Sequence, residues 1–269
     1  MAGFTAPPAH RPVPVLARGD GWIVVAKPPR VVVHRNAGQR TASAMLQRVR
    51  DMVGCHVYLV HRLDWGASGC LLLATRRELA GPLSAALNGP TARKTYLAFV
   101  RGCFPHEAPL RIDTPIKTEH GYKDAASVVE LLGRSQEPRC SLLRVRPETG
   151  RNHQVRRHVR DLHHPIIHDA DHGDSRINRH WRETHGVNRL GLHALRLELD
   201  LPEGGRLDVV SPLFADQAAL YPRLPWWEEA VGREPALLLP PLPLDPEDGQ
   251  EEEEEEEEEG EGEGEGEGE

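Results

Sequence analysis

The chain has 269 residues, 28% of them charged, and a formal net charge of −8. That acidity is local: residues 245–269 hold 17 acidic and no basic side chains, so the rest sets 33 basic groups against the remaining 24 of 41 acidic ones, a net +9. Four scattered cysteines with no C-x-x-C pair argue against a disulfide frame, and no apolar run nears the roughly 20 residues that span a bilayer.

In chain order, a Pro-rich lead (1–14) is expected to be flexible and shows no secretory signal. "GWIVVAKPPRVVVHR" (21–35) gives two β-branched runs around Lys27-Pro28-Pro29, predicting strand, turn and strand. "TASAMLQRVRDMVG" (41–54) carries apolar residues at helical spacing, with Thr41 as a candidate cap and Gly54 as the stop. "YLVHRLDWGASGCLLLAT" (58–75) reads as a strand, a Gly-rich turn and a second strand. Alternation along the first would put Tyr58, Val60, Arg62 and Asp64 on one face and Leu59, His61 and Leu63 on the other. A helix interrupted by Pro82 follows, then strands at 93–102, 126–133 and 140–147. "NHQVRRHVRDLHH" (152–164) is predicted to be a helix with Val155, Val159 and Leu162 on one stripe and arginines on its other faces. Strands at "RLGLHALRLELDLP" and "RLDVVSP" close the domain. This order predicts an α+β fold, a mixed and mostly antiparallel central sheet flanked by helices around a cleft. The expected boundaries are a domain over 15–235 and a disordered tail over 236–269, which from Glu251 contains only Glu and Gly.

The positive excess outside the tail is nearly all arginine, with four lysines (Lys27, Lys94, Lys117, Lys123). Guanidinium groups bind phosphate in bidentate geometry, so this surface points toward nucleic acid. Three segments bring chemistry: Arg62 with Asp64 at a strand end, Tyr96 on the strand face shared with Lys94, and "ETGRNHQVRRH", where a turn enters an Arg-rich helix whose first amides favour an anion. Each has an ordinary alternative, as a structural ion pair, a packing tyrosine and a solvated helix face. The histidines from His153 to His172 lack H-E-x-x-H spacing and thiol partners, so no metal is expected there. "GASG" lacks the spacing of a nucleophile elbow.

Together, "HRLDWGASGCLLLA" (61–74), "RKTYLAFVRG" (93–102), "TGRNHQVRRHVRDLHHPIIHD" (149–169) and "LGLHALRLEL" (190–199) resemble, in order, the motifs of the RluA family of pseudouridine synthases. The likeness covers about residues 15 to 215. "HHPIIHDADHGDSRINRHWRETHGVNRLGLHA" is similar to a subgroup of that family that modifies uridine 65 of tRNA. The resemblance implies an isomerase that makes pseudouridine in RNA, tRNA first and ribosomal RNA second, and that needs no cofactor. It assigns catalysis to Asp64, Tyr96 and Arg156, with Arg156 as the partner of Asp64. Arg62, Val155, Lys94 and His61 are assigned to substrate binding, Arg62 entering the space that a flipped nucleotide leaves. The protein is expected to be a monomer, and its scattered cysteines and the lack of a spanning apolar run predict a cytoplasmic protein without membrane contact. Arg176, Arg179, Arg182 and Arg189 are candidate phosphate contacts. Two departures stand out: Ala67 where the family has Thr, and His168 where it has Gly, costly if that position needs a positive φ. An RNA-binding protein without catalysis is the competing reading, and a glycosidase-like enzyme would need a second carboxylate near Asp64.

Overall fold

The computed structural model describes residues 12–34 and 44–244. Thr41 and the acidic tail beyond residue 244 lie outside the described residues. The strands are β1 (Val15–Gly19), β2 (Trp22–Lys27), β3 (Tyr58–Leu59), β4 (Ser68–Ala74), β5 (Arg93–Arg101), β6 (Leu110–Ile112), β7 (Ile116–Thr118), β8 (Gly121–Lys123), β9 (Ser127–Gln136), β10 (Arg139–Pro147), β11 (Leu192–Asp200) and β12 (Arg206–Val210). The helices are α1 (Met45–Val53), α2 (Arg77–Leu87), α3 (Gln154–Asp161), α4 (Ser175–His185), α5 (Ala215–Leu220) and α6 (Trp227–Arg233), with short 3-10 turns at Tyr221–Arg223 and Pro235–Leu238.

Ten strands form one sheet in the order β1-β2-β4-β11-β5-β10-β9-β6, with β12 on β11 and β3 on β4. Only β4 and β11 run parallel, pairing Ser68 with His193 and Gly69 with Ala194, so the sheet is mixed and mostly antiparallel as expected. β7 and β8 form a separate hairpin.

Period-two alternation on β5 sorts the two faces. Leu97 and Phe99 join one cluster with Trp181, Tyr221 and Trp226, where the Phe99 ring lies 5.1, 5.4 and 5.9 Å from those three. This packing fastens α4 and α6 to one side of the sheet. Tyr96, Ala98 and Val100 face the other side, among Val145, Val155 and Val159, so α3 and Tyr96 share a face.

The second β-branched run is no strand. Val32 and Val33 instead offer their carbonyls to the amides of Met45 and Leu46, filling the open donors at the start of α1. Gly54 ends that helix in the left-handed region, as its position predicted. The domain reaches past both expected ends. Val13 is buried, Leu237 packs in the aromatic cluster, and Leu242 exchanges backbone bonds with Leu213 and Ala215.

Candidate active site

Asp64 does not stand on a strand. β3 stops after Leu59, and the chain continues as a loop held by its own backbone and by the exit of β2. The Ala67 amide donates to the Asp64 carbonyl at 3.1 Å, closing a turn. The next carbonyl, Trp65, accepts from the Arg30 amide at 2.8 Å and from Lys27 Nζ at 3.0 Å. Lys27 is completely buried, and its ammonium also donates to the Pro28 carbonyl at 2.8 Å. The lysine of the K-P-P turn thus pins the peptide beside Asp64, a role its sequence context did not reveal. The strand expected through 58–64 fails because β3 pairs with β4 only at Tyr58 and Leu59, and beyond it the Asp64 carbonyl closes a turn with Ala67 while the Trp65 carbonyl is taken by Lys27 and Arg30.

Gly69 explains the glycine that follows. Its φ is +111°, and a Cβ there would sit 2.2 Å from the Ala194 carbonyl oxygen. Only glycine lets β4 approach β11 this closely. Ala67 is fully buried against Leu190 and Leu192, a site where the hydroxyl of a threonine would need a partner.

Arg156 is the centre of the site. Its side chain is 6% exposed and reaches three carboxylates. Nη1 donates to Asp64 at 3.2 Å, while Nε and Nη2 form a bidentate pair with Asp169 at 2.8 and 2.6 Å, and Nη2 also meets Asp171 at 2.6 Å. The expected Asp64–Arg156 pair is present, but it is the longest of the three contacts. Asp169, whose carboxylate is 0% exposed, is the principal counter-ion. Burial opposes its charge, yet the Arg156 bonds and the His172 amide hold its pKa below the usual carboxylate range. For Arg156, burial disfavours the charge and the Asp169 bonds outweigh it, so the guanidinium stays charged.

Asp64 is 25% exposed, with His153 Nε2 at 3.9 Å on its other oxygen. Tyr96 lies within reach of its field: burial, then the Asp64 charge, raise the phenol well above its ordinary pKa, so it keeps its proton at neutral pH. Val155 is buried beside it in the same cluster. Lys94 lies two residues before Tyr96 on the same face of β5, and burial lowers its pKa. The Arg62 side chain is exposed and makes no hydrogen bond or ion pair among the described residues.

His61 is tied into the sheet. Its Nε2 accepts the Leu72 amide of β4 at 3.0 Å, where β11 no longer pairs. Burial, with the Lys94 charge second, lowers its pKa to about 4, so the ring is neutral and braces β4. In the turn before α3, Gln154 Oε1 accepts from the Arg151 amide and the Thr149 hydroxyl.

Beneath the loop lies a buried polar network. Ser68 donates to His193 Nδ1 at 2.9 Å and accepts from Arg189 Nη1 at 3.0 Å, while His193 Nε2 donates to the Ser211 carbonyl at 3.0 Å. Arg189 closes the network by pairing with Asp216. Arg189 is therefore a buried strut and not a phosphate contact, whereas Arg176, Arg179 and Arg182 are exposed on α4. His168 does adopt the positive φ suspected for it, +61°.

Residues 21–161 match the family model described as RNA pseudouridylate synthase. The tRNA pseudouridine synthase C of Yersinia pestis is 38% identical over 211 residues, covering 71% of this chain and 82% of that protein. The protein of the same name from Pectobacterium carotovorum subsp. carotovorum is 35% identical over 212 residues; the chain spans 71% of its own length and 56% of that protein. The solved structure of human RNA Pseudouridylate Synthase Domain Containing 1 superposes with a TM-score of 0.62 at 22% identity, over 77% of this chain and 86% of that one, a likeness of fold. With its motifs gathered on one face of this sheet and these matches across most of its length, the chain belongs to the RNA pseudouridylate synthase family.

Proposed function

We propose that this protein isomerises uridine to pseudouridine in tRNA, with Asp64 at the reacting centre. The observation that carries the reading is the meeting of Asp64, Tyr96 and Arg156 on one side of the sheet, beside an exposed arginine and a basic rim. The tRNA follows from the names of the relatives from Yersinia and Pectobacterium.

The reaction breaks the bond from N1 to the ribose, turns the base and joins C5 to the same carbon. C5 loses a proton and N1 ends with one, so the step consumes no oxidant, reductant or nucleotide. A carboxylate serves it by meeting the positive charge that grows at the anomeric carbon as N1 departs. Arg156 fixes one Asp64 oxygen and leaves the other toward the cleft and His153. Tyr96, protonated, packs against the base and donates to a uracil oxygen. Val155 forms the apolar wall. A uridine in a stem must first be flipped out, which costs a few kcal/mol. Arg62 is free to fill the gap, and Lys94 to meet a phosphate.

The β7–β8 hairpin extends this face. Arg157 donates to the Lys117 carbonyl at 2.9 Å, tying the hairpin to α3, and Tyr122 stands 72% exposed near Lys123. Such a ring amid cations suits base stacking and phosphate contact, so RNA affinity should fall steeply with salt. No described helix is long and apolar enough to cross a membrane. Tritium release from tRNA labelled at uridine C5 tests the reading. Release from tRNA supports it, release from ribosomal RNA alone moves the substrate, and tight RNA binding without release favours a non-catalytic binding protein.

A further inference from the structure

The loop after α3 brings a second set of side chains to the rim of the site. His153 Nδ1 lies 3.1 Å from His172 Nε2 and 3.8 Å from Asp171 Oδ2, and the ligand atoms of all three residues fall within 4.8 Å of one another. Ligand atoms about 3.3 Å apart are the edge of a tetrahedron whose metal–nitrogen bonds are about 2.0–2.1 Å. We propose that His153, Asp171 and His172 bind a divalent cation of the zinc type, and that its binding inhibits the synthase site. The acidic partner that the histidine-rich sequence lacked on its helix arrives from the adjoining loop.

The surroundings fit a ligand set. Arg160 can only donate, so its 3.5 Å contact makes His172 Nδ1 an acceptor and leaves the proton on Nε2, which donates to His153 Nδ1. His153 therefore already presents a lone pair at Nδ1, and its Nε2–H faces Asp64 at 3.9 Å. A carboxylate behind the far nitrogen is the usual support of a metal-bound histidine. Coordination at His172 Nε2 moves that ring's proton to Nδ1 at the expense of the long Arg160 contact, with no net proton released. Asp169 accepts the amides of Asp171 and His172 and so fixes the loop that carries two of the ligands. Asp171 is 57% exposed, which leaves an entry path and a fourth position open to solvent. A bound cation would draw Asp171 from Arg156 and lock His153 against Asp64, which is how occupancy would stop the reaction.

The test uses the full chain with cobalt(II) as a spectroscopic stand-in and zinc as the inhibitor. The expected result is one cobalt per chain with the intense visible bands of tetrahedral geometry. Loss of an outer partner alone typically costs metal sites 10–100-fold, so His172→Ala should weaken binding at least about tenfold. His180→Ala, on the exposed surface of α4, should leave affinity unchanged. If His172→Ala fails to fold, Asp171→Asn at the exposed position serves instead. No binding, a pale octahedral spectrum, or equal affinity in the ligand variants would overturn the site and leave only a histidine–histidine hydrogen bond. The inhibition rests on the synthase reading, whereas cation binding does not. Zinc should abolish tritium release, with recovery on chelation; tetrahedral binding without inhibition would overturn the regulatory half alone.

Discussion

Asp169→Asn separates the counter-ion of Arg156 from the carboxylate that meets the substrate. The Asp169 side chain accepts four hydrogen bonds: Nε of Arg156 on one oxygen, and Nη2 of Arg156 with the amides of Asp171 and His172 on the other. An asparagine can keep its oxygen toward the three donors. Its amino group then faces Arg156 Nε, donor against donor, and a buried guanidinium loses its principal negative partner. Breaking a buried ion pair from one side costs about 3–5 kcal/mol. Arg156 keeps Asp171 and Asp64, so the low end applies, about 3 kcal/mol, or about 6–12 °C in Tm for a domain of this size. Asp171→Asn should cost about 1 kcal/mol or less, because that carboxylate is mostly in water. Urea unfolding of both variants measures the difference. The Asp169 pKa lies below its ordinary value of 3.8, so the pair's stabilisation is present above that pH and is lost as pH falls through the folded value. The gap between wild type and Asp169→Asn should therefore shrink in acid. Equal losses in the two variants, or a gap that persists in acid, would refute the assignment of Asp169 as the main partner.

Three further outcomes follow from the same geometry. His168→Gly should raise stability by about 0.5–1 kcal/mol, since relief of a left-handed non-glycine residue exceeds the added entropy of the unfolded chain; a lower Tm would contradict the strain. Ser68→Ala should cost about 1–3 kcal/mol in urea titration, because it strips a partner from both His193 and Arg189 inside the core, and an unchanged midpoint would remove the network from the account. His61 and His193 have folded pKa values lowered to about 4 from 6.5, so the unfolded chain binds more protons between those values. Stability should fall as pH drops from about 6.5 toward about 4, and a flat profile across that window would mean that these rings are not buried neutral.

Strands such as 93–101 and 139–147 were legible as short runs rich in apolar and β-forming residues bounded by turn residues, although both are buried on two faces. α3 was legible from its apolar stripe at helical period, whereas the approach of Arg156 to Asp64 came from the family resemblance and not from the period. The strand drawn through Asp64 was not correct, because alternation cannot tell a strand from a loop that closes its own turn at Asp64 and is pinned at Trp65 by a distant lysine. α4 buries only Trp181, so it offers no apolar stripe to read. Its Asp174 cap and Gly186 stop were nonetheless present in the sequence. Asp169 was visible only as the end of a motif; that it outcompetes Asp64 for Arg156 depends on burial, which a sequence does not display. Lys27 looked like part of a turn because nothing local marks an ammonium that reaches 38 residues along the chain.

The central claim is that Asp64 is the reacting carboxylate of a tRNA-modifying synthase. Site-resolved mapping of pseudouridine in tRNA and ribosomal RNA, incubated with wild-type protein and with Asp64→Asn, tests it most directly. Asp64 is partly exposed and holds one 3.2 Å bond to Arg156, so its asparagine variant should fold and bind RNA as the wild type does. The account predicts pseudouridine at a defined tRNA uridine with wild type and none with Asp64→Asn. Product formed by the variant, or no product in either RNA from a wild type that binds both, would contradict it.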